Sequence, residues 1–199
     1  MRTDKLAATF SMASLTMGIF NTLRIHPDAH GNGIASLIVE VTLMPDAALQ
    51  LDYTLTGDPA ALRLPAAVPP ARADELWRHT CFEAFIRSEA GTAYREFNFS
   101  PSGQWQTYAF ADYRSGDRLE PASPPHIVTQ RQTESFRLQA TIASADLPQG
   151  ERLRIGLSAV IEHADGLISY WALRHPPGKP DFHHPDTFAL EINTRCHHP

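Results

Sequence analysis

The chain has 199 residues, with 17 lysines and arginines against 22 aspartates and glutamates, a formal net charge of −5 and 43 % hydrophobic residues. That is the composition of a globular domain and not of a disordered or repetitive chain, and the acidic balance speaks against nucleic-acid binding through a general basic surface. Its two cysteines, Cys81 and Cys196, are too few for a disulfide framework and lack zinc-site spacing.

In chain order, residues 6–23 are the longest apolar stretch, interrupted by Thr9, Ser11, Ser14, Thr16 and Asn21. A spanning helix needs about 20 mostly apolar residues, so no membrane span is expected. Asp4 in the charged region and the lack of a small-x-small site speak against a signal peptide. Lone thiols favour a reducing setting, so the expected location is cytoplasmic, with secretion as the alternative. Residues 1–16 read as a leader, and 17–199 as one domain. Beyond the leader, period-two alternation is broken roughly every 8–12 residues by turn chemistry, the pattern of an all-β sandwich or barrel.

Residues 34–42 and 48–56 read as neighbouring strands, Gly57-Asp58-Pro59 as a turn, and 65–72 as a proline-rich loop. Residues 76–87, 92–100 and 104–111 read as three consecutive strands. Further strands are expected at 127–133, 136–142, 152–162, 167–173 and 187–192, with one helical turn at 144–147. The fold expected is all-β: an antiparallel two-sheet β-sandwich of about ten strands.

Turn chemistry registers the middle strands. A hairpin centred on Ala90-Gly91 sets Glu83 opposite Asn98, Ala84 opposite Phe97 and Phe85 opposite Glu96, and antiparallel partners share a face. One face then collects Phe82, Ala84, Ile86, Phe97 and Phe99, joined by Trp105 and Thr107. The other collects Glu83, Phe85, Glu96 and Asn98, with Gln104, Gln106 and Tyr108. A slip by one residue exchanges the faces, so the pattern selects its register. Strand 152–162 adds Arg154, Ser158 and Glu162 to the polar side. Carboxylates, amides and a phenol are the groups that bind hydroxyl-rich ligands; the plainer reading is a solvated outer face. Acidic residues are depleted in strands, yet Glu83 and Glu96 sit mid-strand between aromatics.

The least ordinary segment is S-Y-W-A-L-R-H-P-P-G-K-P-D-F-H-H-P-D at 169–186. Four prolines make it stiff. It carries Arg174, His175, Lys179, Asp181, His183, His184 and Asp186. His183, His184, Asp181 and Asp186 are weak candidates for metal ligands, although no fixed-spacing zinc motif is present; a rigid capping loop is the plainer reading. Its cations are expected to fold over the polar face, with Lys179 or Arg174 bridging to Glu83 or Glu96. His79 and Cys81 resemble a thiolate pair, but a buried core cysteine is the simpler account. No nucleophile elbow, P-loop or Rossmann fingerprint occurs.

The runs L-W-R-H-T-C-F-E-A-F-I (76–86), Y-R-E-F-N-F-S-P-S-G-Q-W (94–105), G-L-S-A-V-I-E (156–162) and 169–186 resemble the DOMON-like superfamily, in a bacterial branch related to family-nine carbohydrate-binding modules. The resemblance covers roughly residues 34–192. It implies a β-sandwich of jelly-roll or immunoglobulin-like layering that binds sugar or, in other branches, haem. Haem-binding members use a methionine and a histidine as axial ligands. Met1, Met12, Met17 and Met44 all fall early and outside a matching strand motif, so haem is not expected. Sugar-binding members clamp the ligand between tryptophans, for which Trp77 and Trp171 are the candidates. The function expected is non-catalytic binding of a carbohydrate or similar polar small molecule, with no cofactor beyond a possible metal ion. Glu83, Glu96, Asn98 and Tyr108 would bind hydroxyls, Trp171 would stack, and Arg174, His175 and Lys179 would close the rim. The alternatives are a metal-assisted hydrolase using loop 175–186, or an interaction module with no small ligand.

Overall fold

Alternating apolar and polar residues set most of the strands, and Gly, Pro, Asn and Asp end them. The structure, a computed structural model, describes residues 18–31 and 33–194. The strands are β1 (Ile19–Ile25), β2 (Ile34–Leu43), β3 (Leu49–Gly57), β4 (Cys81–Ser88), β5 (Tyr94–Phe99), β6 (Trp105–Asp112), β7 (Ser115–Arg118), β8 (His126–Arg131), β9 (Ser135–Ile142), β10 (Arg152–Glu162), β11 (Ile168–Ala172) and β12 (Leu190–Asn193). Helical structure among the described residues is confined to three-residue 3₁₀ turns, one of them at Ser144–Asp146. No helix among them is long and apolar enough to cross a membrane. The expected leader, Cys196, Met1, Met12 and Met17 lie outside the described residues.

All strand pairings are antiparallel. They run in one path, β7-β6-β5-β4-β10-β11-β1-β2-β3-β9-β8, with β12 beside β10. This corrects the expectation of two separate sheets and about ten strands. The link is β1: Ile19 to Leu23 pair with β2, while Arg24 and Ile25 pair with β11. Its sequence lies largely within the apolar stretch 6–23, which hid it. β7, Ser115-Gly-Asp-Arg, is exposed throughout and shows no alternation. The strand expected from residue 76 begins at Cys81, because Leu76–Arg78 form a 3₁₀ turn after Glu75, which takes a left-handed φ of 57°.

The two halves of the path pack face to face. The Tyr53 ring of β3 lies 5.1 Å from Phe82 of β4, Phe82 lies 6.0 Å from Phe136 of β9, and the Tyr53 hydroxyl donates to the Glu83 carbonyl at 2.9 Å. Leu37, Val39, Leu51, Phe97, Phe99 and Ile155 fill this core. Each such side chain contributes about 1.5–3 kcal/mol by burial. The registers expected for β4, β5 and β6 are those observed, and Phe82, Phe97, Phe99 and Trp105 are buried. A second apolar cluster, Phe85, Tyr94, Val160, Ala172, Phe182 and Phe188, lies on the outer face. β4 is therefore covered on both sides, and its residues Cys81 to Ile86 are all buried.

Candidate functional site

Register lays out the site. Ser158, Glu83, Asn98 and Gln106 form one row across β10, β4, β5 and β6, and Gly156, Phe85, Glu96 and Tyr108 form the next. After β11 the proline-rich loop turns back over these rows. Phe182 packs 6.5 Å from Phe85 between ring centroids, and His183 packs 5.0 Å from it. The loop is fixed by its own hydrogen bonds. Asp181 accepts from the His183 N–H at 3.1 Å and from the Tyr113 hydroxyl at 2.7 Å, and pairs with Arg114 at 2.9 Å. Thr187 donates to the Phe182 carbonyl at 2.8 Å. Gly156 permits the close approach: a Cβ there would sit 3.2 Å from the Thr187 oxygen.

Between loop and sheet lies a cavity of about 590 Å³, well within the usual range of small-molecule sites. Glu83, Phe85 and Glu96 line it from the sheet, with Val160 beside them. Tyr108, Phe110, Tyr170 and Phe182 add aromatic surface, and Trp77, Arg114, Lys179, Pro180 and His183 complete it. Trp77 is 47 % exposed, unusual for so large an apolar group.

The polar groups are held in an uncommon state. Glu83 is 2 % exposed and accepts one hydrogen bond, from Ser158 at 3.1 Å. Burial pushes its carboxyl well above the ordinary range, and the charge of Glu96 adds to this. Glu96 accepts from the Asn98 amide at 2.7 Å, and burial raises it to about 7 despite that bond and the charge of Arg114. Burial, then Arg114, lowers His183 to about 4, so its ring is neutral near pH 7. The Arg114 N–H donates to the Tyr94 oxygen at 3.1 Å, and that hydroxyl lies 2.8 Å from His183 Nδ1. With the phenol donating to Nδ1, the ring proton sits on Nε2, 3.8 Å from Glu96.

Of the residues singled out from sequence, the cavity brings together Glu83, Glu96, Tyr108 and Lys179, with Trp77 and His183. Asn98 is fully buried and orients Glu96. Trp171 is a correction. It is 6 % exposed in the main core, with its indole donating to Ser169 at 3.0 Å. Alternation along β11 sends Trp171 inward and Tyr170 to the cavity. Arg174 and His175 also lie elsewhere, in a separate cavity of about 360 Å³ with Arg24 and Ile25. The expected bridge from Lys179 or Arg174 to Glu83 or Glu96 does not form; the loop's strongest ion pair runs from Asp181 to Arg114, in the missed β6–β7 turn. His183 faces the cavity, whereas His184 accepts from the Asp186 N–H at 3.2 Å and caps a 3₁₀ turn. Among the described residues no three His, Cys, Asp or Glu side chains cluster as a metal site. Arg154 pairs with Glu89 and Glu191, Glu162 with Arg63 and His79, and Cys81 is fully buried. Phe110, Tyr170 and Phe182 also line the cavity although sequence alone does not single them out, and Phe85 lies on the face that alternation assigns it.

No family model matches the sequence, and no curated protein matches it. Solved structures share its fold at low identity, among them the following three. A candidate carbohydrate-binding protein from Bacteroides uniformis ATCC 8492 has a TM-score of 0.63 at 15 % identity, covering 85 % of this chain and 84 % of that one. A family-nine carbohydrate-binding module from Caldicellulosiruptor kristjanssonii in complex with glucose has a TM-score of 0.55 at 14 % identity, covering 88 % and 83 %. A module of the same family and organism in complex with cellotriose has 0.50 at 15 % identity, covering 81 % and 75 %. The chain thus has the all-β fold of these modules.

Proposed function

We propose that the protein is a non-catalytic binding module for a carbohydrate or similarly hydroxylated small molecule, on the DOMON-like branch related to family-nine modules. The carrying observation is the cavity itself. It sets two buried carboxyls and a phenol, which bind hydroxyls, against the aromatic surface that packs on the apolar face of a sugar ring. Glu83, Glu96 and Tyr108 bind hydroxyls, Asn98 holds Glu96, Trp77 stacks on the sugar face, and Lys179 closes the mouth. This reading uses neither haem nor metal. Two of the structures that share the fold carry glucose and cellotriose, which supports it.

The test is a thermal-shift and calorimetric screen of mono- and oligosaccharides, neutral and amino. A ligand at 100 times its Kd stabilises by about 2.7 kcal/mol, a rise in Tm of roughly 5–10 °C for a chain of this size. Trp77→Ala and Tyr108→Phe should weaken binding. An unresponsive protein, or binding indifferent to both substitutions, overturns the reading.

A further inference from the structure

The two carboxyls at the base of the cavity lack a cation. Among the described residues neither Glu83 nor Glu96 pairs with a lysine or arginine. Glu83 takes one hydrogen bond from Ser158, Glu96 one from Asn98, and each spends one oxygen on it. The other oxygen of each is left for a further donor. The nearest basic group, His183 Nε2 at 3.8 Å from Glu96, is neutral near pH 7. Arg114 is committed to Asp181, and Lys179 is exposed. Two neighbouring acids withdrawn from water are costly unless a positive charge or protons neutralise them. Around them Phe85, Phe110, Tyr170 and Phe182 line the same space, and the electron-rich faces of aromatic rings attract cations. Acids, free acceptor oxygens and aromatic surface all favour the same kind of ligand group.

We infer that the ligand carries a protonated amine seated against Glu83 and Glu96, so that the saccharide taken is an amino sugar in preference to a neutral one. This rests on the saccharide reading and narrows it. An ammonium offers three donors. Two meet the free oxygens of Glu83 and Glu96, and the third is left for Tyr108. The titratable groups around the pair are Tyr53, Cys81, Tyr94, Tyr108, Arg114, His183 and Lys179. Without a bound cation, protons neutralise the carboxyls; an ammonium takes their place, so binding releases protons.

The experiment compares three trisaccharides on one β-1,4 backbone by titration calorimetry near pH 6, where the free amines are protonated and the raised carboxyls still hold their protons: cellotriose, the glucosamine trimer and the N-acetylglucosamine trimer. The glucosamine trimer should bind at least about tenfold more tightly than both neutral ones, about 1.4 kcal/mol. Its binding heat should vary with the ionisation heat of the buffer, with proton release. Glu83→Gln and, separately, Glu96→Gln should each remove the preference, lowering the affinity for the glucosamine trimer by more than that for cellotriose. Equal affinities, tighter cellotriose binding or no proton release overturn the inference and leave the saccharide reading standing. So does a preference that persists in either folded variant, which would mark attraction to the acidic surface at large. No binding by any of the three overturns both.

Discussion

Glu83, Glu96 and His183 make the stability of the protein depend on pH in opposite senses. The carboxyl of Glu96 is raised to about 7, so between about pH 4.5 and 7 the folded protein keeps a proton that the unfolded chain gives up. Stability therefore falls as pH rises through that window. Glu83, raised well above the ordinary range, extends the fall upward. His183 is lowered to about 4; the unfolded chain binds its proton below about 6.5, and stability is lost as pH falls from there. The two effects oppose each other between about pH 4.5 and 6.5, and the decline emerges above. Each pH unit over which the folded state alone holds a proton is worth about 1.4 kcal/mol. Glu83→Gln should therefore match the wild type near pH 5 and melt several degrees higher near pH 8. Thermal melts across pH check this, and an equal loss at both pH values would contradict it. The tryptophans give a second test. Trp171→Ala should cost about 3–5 kcal/mol, as large core truncations do. Trp77→Ala, at an exposed position, should cost under about 1 kcal/mol yet weaken saccharide binding at least tenfold; denaturant melts and calorimetry separate the two. Sequence alternation holds the information that distinguishes Tyr170 from Trp171, but two adjacent aromatics fit either face until Ala159 and Val160 are known to lie opposite them.

At the scale of elements, the β4–β5–β6 register was legible because turns and alternation agree. Glu83 opposite Asn98 and Glu96 opposite Tyr108 are both in the structure. β1 and β7 were not legible. In β1 the apolar residues run on from the preceding stretch, and β7 gains its order from pairing with β6 and not from burial. The loop's placement over the polar face followed from chain logic, whereas its attachment did not. Arg114 takes a left-handed φ of 52° in a tight turn and pairs with Asp181 of the loop at 2.9 Å, a contact between residues far apart in sequence. Loop placement also depends on Gly156. Gly156→Val should cost about 1–3 kcal/mol, as overpacking does. It should also lift the loop, seen as faster amide exchange across 181–188 and weaker ligand binding. Unchanged exchange would show that the loop does not rest on β10 at this point.

For the molecule as a whole, one antiparallel path of strands folds so that its two halves enclose the main core, and β1 links them. All-β class and the buried faces of β4, β5 and β10 were readable from alternation alone, since a slip of one residue would drive Glu83 and Glu96 into that core. What alternation cannot convey is that an outer face is itself covered. Phe85 and Val160 share their strand faces with the polar residues Glu83, Arg87, Ser158 and Glu162, and Phe85 meets Phe182 and His183 only after the loop folds back. The cavity is therefore a property of the tertiary fold, and the central claim is that a saccharide occupies it. Amide and indole chemical-shift mapping by NMR during a saccharide titration tests this most directly. The account predicts saturable shifts centred on Trp77, Glu83, Glu96, Tyr108 and the loop from Lys179 to His183. Shifts centred instead on Arg24, Arg174 and His175 around the second cavity, or scattered without saturation, would contradict it.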